Sequence, residues 1–249
     1  MPLKRCLTPV FLLLVIAFLA LYATGKPEAV REAESEIPIQ EEKPESNQDG
    51  KKHSTPLILD KPVLLTEYRK KLAREYSLMH YGEPSDTIVP QAIVIHWTAS
   101  DTWESAYNHF YGEEAVRDRE YGLLNPASHF LVDRDGTIYR LTPETSLNRH
   151  AIGLNWCSIG IENVGGVNGK QDLTGAQLKS NADLVKYLKS KYPSIKYLLG
   201  HYQQDQARKA GLWRENMPGY YAGKADPGPD FMESLIKSTK DLGLIAFQP

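Results

Sequence analysis

Cysteine is nearly absent: the 249 residues carry two, Cys6 and Cys157. They could make at most one bridge, so a disulfide-framework protein is excluded, and no local Cys-x-x-Cys zinc pattern can be written. An excess of one charge is missing too. Lys and Arg number 29 against 31 Asp and Glu, a net charge of −2, which leaves no broad basic surface to hold phosphate backbones. Nucleic acid is therefore not expected as a partner. No internal repeat is visible.

What is present divides the chain into three parts. Lys4 and Arg5 precede an uncharged run at 6–25 whose centre reads VFLLLVIAFLALYA. A positive flank before an apolar core is how a secretory segment begins, and Ala23, Thr24 and Gly25 are small enough for signal cleavage. The run also approaches the ~20 residues that span a bilayer. Residues 1–25 are accordingly read as a signal peptide or a signal anchor. Export to the cell envelope is expected either way, with membrane contact only through this segment. Residues 26–56 are rich in charge and proline and poor in large apolar side chains, too little to offset chain entropy. They read as a disordered linker. Residues 57–249 form the folded remainder.

That remainder mixes two periods. Leu65, Tyr68, Leu72, Tyr76 and Met79 recur at helical spacing, as do Leu178, Ala182, Val185 and Leu188, and a last helix is expected from Pro229 with Phe231, Leu235 and Ile236 inward. Strand candidates are AIVIHW at 92–97, SHFLVD at 128–133, TIYRL at 137–141, SIGIENV at 158–164 and KYLL at 196–199. The Asp135-Gly136 pair between the second and third of these signals a hairpin. Interleaved strands and helices around one core predict an α/β or mixed α+β fold, a central mixed sheet flanked by helices.

Polar residues then stand where packing alone would not put them. His96 ends one apolar run, Glu162 ends another, and His201 follows a third. Burying such groups costs free energy unless they are paired or metal-bound. In KADPG at 224–228 a carboxylate sits in a rigid turn beside a lysine. Two imidazoles and a carboxylate are a usual ligand set for a catalytic zinc ion, although this spacing is not a local motif.

Taken in order, IVIHWTAS at 93–100, SHFLVDRDGTIYRL at 128–141, RHAIG at 149–153, SIGIEN at 158–163, GH at 200–201 and KADPG resemble the zinc-dependent N-acetylmuramoyl-L-alanine amidases. These are the type 2 amidases, which share a fold with peptidoglycan-recognition proteins. The resemblance covers about residues 88–231. It implies zinc ligands at His96, His201 and Asp226, a catalytic carboxylate at Glu162, and Lys224 as the partner that steadies the reacting carbonyl. The implied reaction is hydrolysis of the amide joining N-acetylmuramic acid to the L-alanine of the stem peptide, with peptidoglycan or muropeptides as partners.

His150 matches a family histidine that lines the substrate groove, here preceded by Arg149 where tryptophan often stands. The histidine matching His129 is structural in the family. Between His201 and Asp226 lies a longer stretch than simpler members have, with Trp213, Pro218, Gly219, Tyr220 and Tyr221. This aromatic loop is a candidate wall for sugar or peptide, with Trp213 as its substrate-binding candidate. His53, His80 and His109 are expected to be solvated, and Cys157 to be a small core residue. Two other functions stay open: a recognition module that binds muropeptides without cleaving them, and a zinc peptidase cutting within the stem peptide.

Overall fold

The run AIVIHW forms strand β2 (Ala92–Trp97), and its first five residues are buried. Ile93 and Ile95 enter one apolar cluster while Ala92 and Val94 enter another. A strand buried on both faces must be apolar throughout, which is why no alternation is visible in it. The computed structural model describes residues 55–247. The signal segment expected at 1–25, with Cys6, and all but the last two residues of the linker expected at 26–56, with His53, lie outside the described residues. Among the described residues no helix is long and apolar enough to cross a membrane.

Around β2 run β1 (Ile58–Asp60), β3 (Phe130–Val132), β4 (Ile138–Arg140), β5 (Ser158–Asn163), β6 (Tyr197–Gly200) and β7 (Ile245–Ala246). The sheet order is β1-β4-β3-β5-β2-β6-β7. Only β3 and β4 pair antiparallel; every other pair is parallel. The expected central mixed sheet flanked by helices is what the chain forms. The hairpin between β3 and β4 closes where Gly136, at φ 91°, takes a conformation that suits glycine.

The helices are α1 (Glu67–Tyr81), α2 (Trp103–Tyr111), α3 (Gly175–Lys191), α4 (Gln204–Lys209) and α5 (Pro229–Ser238). Thr174 caps α3 in a capping box with Gln177, satisfying two orphan backbone donors. The Gln177 amide also donates to the carbonyls of Val132 and Val164, tying α3 to the ends of β3 and β5. Helix α1 has the expected period but a rotated face. Tyr68 and Met79 are exposed, while Arg69 and His80 are buried with Leu72 and Tyr76. Arg69 donates to the carbonyls of Gly112 and Asn125, and this bonding lets a charged side chain face inward.

His80 departs from the solvated position expected of it. Its ring is fully buried, with Nδ1 2.8 Å from Glu215 Oε1 and Nε2 3.0 Å from the Tyr121 carbonyl. Cys157 is the small core residue expected: it is fully buried, and burial pushes its thiol up to about 12.

Candidate metal centre and cleft

Strand register assembles the first part of the site. His96 pairs directly with Glu162 across β2 and β5, and Ile95 pairs with Gly200 across β2 and β6. The three strands are parallel, so their C-terminal ends meet at one edge, and His201 follows at once. Successive side chains alternate faces, which puts His96, Glu162 and His201 on the same face. The C-terminal edge of a parallel sheet is where α/β proteins commonly place ligands. Asp226 reaches this edge from the turn before α5; its backbone carbonyl accepts from the Tyr202 amide.

The three groups converge. Asp226 Oδ2 lies 3.1 Å from His96 Nδ1 and 3.2 Å from His201 Nδ1, and the imidazole centroids are 4.5 Å apart. The ligand atoms offered by the three residues all lie within 4.8 Å of one another. Tetrahedral zinc with bonds of about 2.0–2.1 Å needs ligand atoms roughly 3.3 Å apart, so the donor types and the spacing around Oδ2 both fit. This His-His-Asp group could hold a metal ion. Burial opposes ionisation of Asp226, but the hydrogen bond with His201 counters it and the carboxyl is held below the usual range. Burial, then His96, lower His201 to about 4 against the pull of Asp226. Both residues thus favour the deprotonated forms that bind a cation.

Beside this group stands Glu162, whose Oε2 is buried without a hydrogen-bond partner among the described residues. Burial first, then the Asp226 carboxylate, push its carboxyl well above the usual range, and Lys224 opposes them. The two carboxyls, Asp226 in the candidate metal group and Glu162 beside it, therefore sit in opposite environments, one held ionised and one able to carry a proton. Such separation is how a fold assigns acid–base roles.

Glu162, His201 and Lys224 open into a cleft of about 600 Å³. Trp97, Phe110, Tyr121, Tyr220 and Tyr221 give it aromatic walls. Trp213 is not among the lining residues. It lies over Gly153, where an added Cβ would stand 2.4 Å from its ring, and its ring centroid is 6.2 Å from that of Tyr221. The long stretch between His201 and Asp226 does reach the cleft, but through its tyrosines. His150 lines the cleft and also stands behind the metal group, its Nδ1 3.1 Å from His96 Nε2. His129 accepts the Gly160 amide at Nδ1 and places Nε2 2.9 Å from the Ser146 carbonyl, in keeping with a structural place.

Sequence reasoning assigned no role to Tyr121 and Arg149, whereas Tyr220 and Tyr221 of the expected aromatic wall do line the cleft. Arg149 is buried and donates to the Tyr220 hydroxyl and to the carbonyls of Asp118, Gly122 and Leu124. Tyr121 and Tyr220 stack at 4.2 Å. A charged residue at the position before His150 was the available signal, since a buried guanidinium must gather acceptors from several segments.

Fold and site together define a candidate metal centre at a sheet edge, with the buried carboxyl of Glu162 beside it and an aromatic cleft in front. The sequence profile described as N-acetylmuramoyl-L-alanine amidase matches residues 86–229, and the chain belongs to that family of type 2 amidases. It is 32% identical over 108 residues to the endolysin of Enterobacteria phage T3, covering 41% of this chain and 68% of that one. With the endolysin of Escherichia phage T7 it shares 33% identity over 107 residues, with the same coverages of 41% and 68%. Among solved structures it is similar to the N-acetylmuramoyl-L-alanine amidase LysC from Clostridium intestinale URNW. That likeness has 22% identity and a TM-score of 0.45, and covers 77% of this chain and 100% of the other.

Proposed function

We propose that the chain is a zinc-dependent peptidoglycan amidase, cleaving the bond between N-acetylmuramic acid and the L-alanine that begins the stem peptide. The observation that carries this reading is the convergence of His96, His201 and Asp226 beside Glu162 in a member of the amidase family. Zinc held by those three residues would supply Lewis acidity to the amide carbonyl and acidify a water molecule.

The chain's own groups supply the rest. Glu162 can take the proton of the attacking water and return it to the leaving L-alanine amine; its raised affinity for protons suits a group that must hold one between the two steps. The Lys224 ammonium, at the same cleft wall, can face the oxygen on which negative charge develops. Tyr121, Tyr220 and Tyr221 can exclude water and present apolar faces to sugar or peptide. Peptidoglycan lies outside the cytoplasmic membrane, so this substrate goes with export directed by residues 1–25. Sequencing the N-terminus of the mature chain distinguishes a removed segment from a retained anchor.

The deciding experiment mixes the full chain, purified in detergent with zinc, with peptidoglycan and reads the products by mass spectrometry. Free stem peptides beginning at L-alanine, lost on chelation and with Glu162→Ala, are the expected result. Fragments cut within the peptide would make the protein a peptidase. Binding without cleavage would make it a recognition module.

A further inference from the structure

His150 is placed to do more than line the cleft. Its Nε2 lies 3.2 Å from the Ser158 carbonyl, which can only accept, so Nε2 carries the proton. The neutral ring then offers its lone pair at Nδ1, and His96 Nε2, 3.1 Å away, must be the donor. With the His96 proton committed to Nε2, its Nδ1 is an acceptor that faces another acceptor, Asp226 Oδ2, at 3.1 Å. Two acceptors at that distance have no hydrogen bond to make, and a cation between them resolves the conflict. The two rings meet edge to face, at an interplanar angle of 88°, so the contact runs through the nitrogens.

We propose that His150 is a positioning residue for the metal centre: it fixes the tautomer and ring orientation of His96, so that Nδ1 is turned to the metal. The inference rests on the reading of His96, His201 and Asp226 as metal ligands. The local sequence supports it from two sides. At Gly160 an added Cβ would come within 2.7 Å of His150 Nδ1, so only glycine on β5 leaves room for the ring. On the other side the Asn155 side chain accepts the backbone amides of His150 and Ala151, holding the segment that carries the ring. Partners of this kind, on the far nitrogen of a ligating histidine, raise metal affinity by about 10–100-fold.

Zinc affinity of the full chain in detergent, measured by competition with a chromophoric chelator, tests the proposal. His150→Leu, which removes the acceptor, is expected to bind zinc about 10–100-fold more weakly. His150→Gln, which can accept again, is expected to recover most of the loss. The metal-free variants should remain folded at the assay temperature, the thermal midpoint dropping by only a few degrees in the leucine variant, whose His96 donor is left unpaired, which separates positioning from a general structural role. A leucine variant with wild-type affinity would overturn the inference. Should the variants fail to fold, nitrogen NMR of the zinc-loaded wild type decides: a proton on His96 Nε2 supports the proposal, and one on His150 Nδ1 overturns it. A wild-type chain that binds no zinc would overturn the metal reading itself, and this inference with it.

Discussion

At the residue scale, Glu162 and Lys224 share the cleft but face different demands. Glu162→Gln keeps the shape and removes the proton acceptor, so hydrolysis of sacculi should fall about 10²–10⁴-fold while zinc content, measured by atomic absorption, stays the same. Loss of zinc together with activity would instead make Glu162 part of the metal group. Cys157 gives a check away from the site. With its thiol pushed up to about 12 by burial, almost no thiolate exists at pH 8. Cys157 of the native protein, identified by peptide mass spectrometry apart from Cys6, should resist iodoacetamide for hours and react at once in urea. Fast native labelling at Cys157 itself would place it outside the core.

At the element scale, the stretch between α4 and Asp226 is pinned to α1, which precedes the family-matched region, and to the segment just before β5. The Asn216 amide donates to the His80 carbonyl, the Arg214 amide donates to the Gly153 carbonyl, and Glu215 meets the His80 ring. Gly153 has φ 73° and lies under Trp213. Gly153→Ala therefore combines an unfavourable backbone conformation with overpacking, together about 2–4 kcal/mol of destabilisation by urea denaturation. Because Tyr221 lines the cleft and Trp213 stands behind it, Tyr221→Ala should raise KM for peptidoglycan several-fold. Trp213→Ala should have the smaller effect; the reverse order would mean that Trp213 contacts substrate directly.

Elements with strong apolar runs were legible in the sequence, and so were their polar ends. β2 and β5 carry His96 and Glu162, and His201 directly follows β6, because apolar runs buried on both faces leave a clear pattern that a polar residue ends. Helix α2 was not expected, since only Ala106 and Phe110 of it are buried and two inward residues define no period. The edge strands β1 and β7, of 3 and 2 residues, are set by pairing to neighbours and not by their own composition. His80 and Arg149 escaped for a different reason: whether a polar side chain is solvated or buried depends on acceptors supplied from distant segments, which local spacing does not encode.

At the scale of the whole molecule, stability should depend on acidity through groups buried neutral. Burial lowers His129 to about 4, so between its ordinary value near 6.5 and 4 the unfolded chain binds the proton and the native chain does not. Stability from this group is complete above pH 6.5 and is lost as the pH falls towards 4, roughly 3 kcal/mol across the window. Urea midpoints at pH 7.5, 5.5 and 4.5 should descend in that order, and the His129 ring should stay neutral by NMR at pH 5.5. A flat profile would place the ring in water.

The three residues that converge on one point come from far apart in the chain: His96 and Asp226 are separated by 130 residues and His201 and Asp226 by 25. No fragment ending before residue 226 contains the complete set, and no chain emerging from synthesis or transport has it until the last turn and α5 have docked against the sheet. Metal capture then reports completion. A zinc-sensing dye followed during refolding should show uptake only with the slowest structural phase, because a chain still folding holds no complete set of the three side chains.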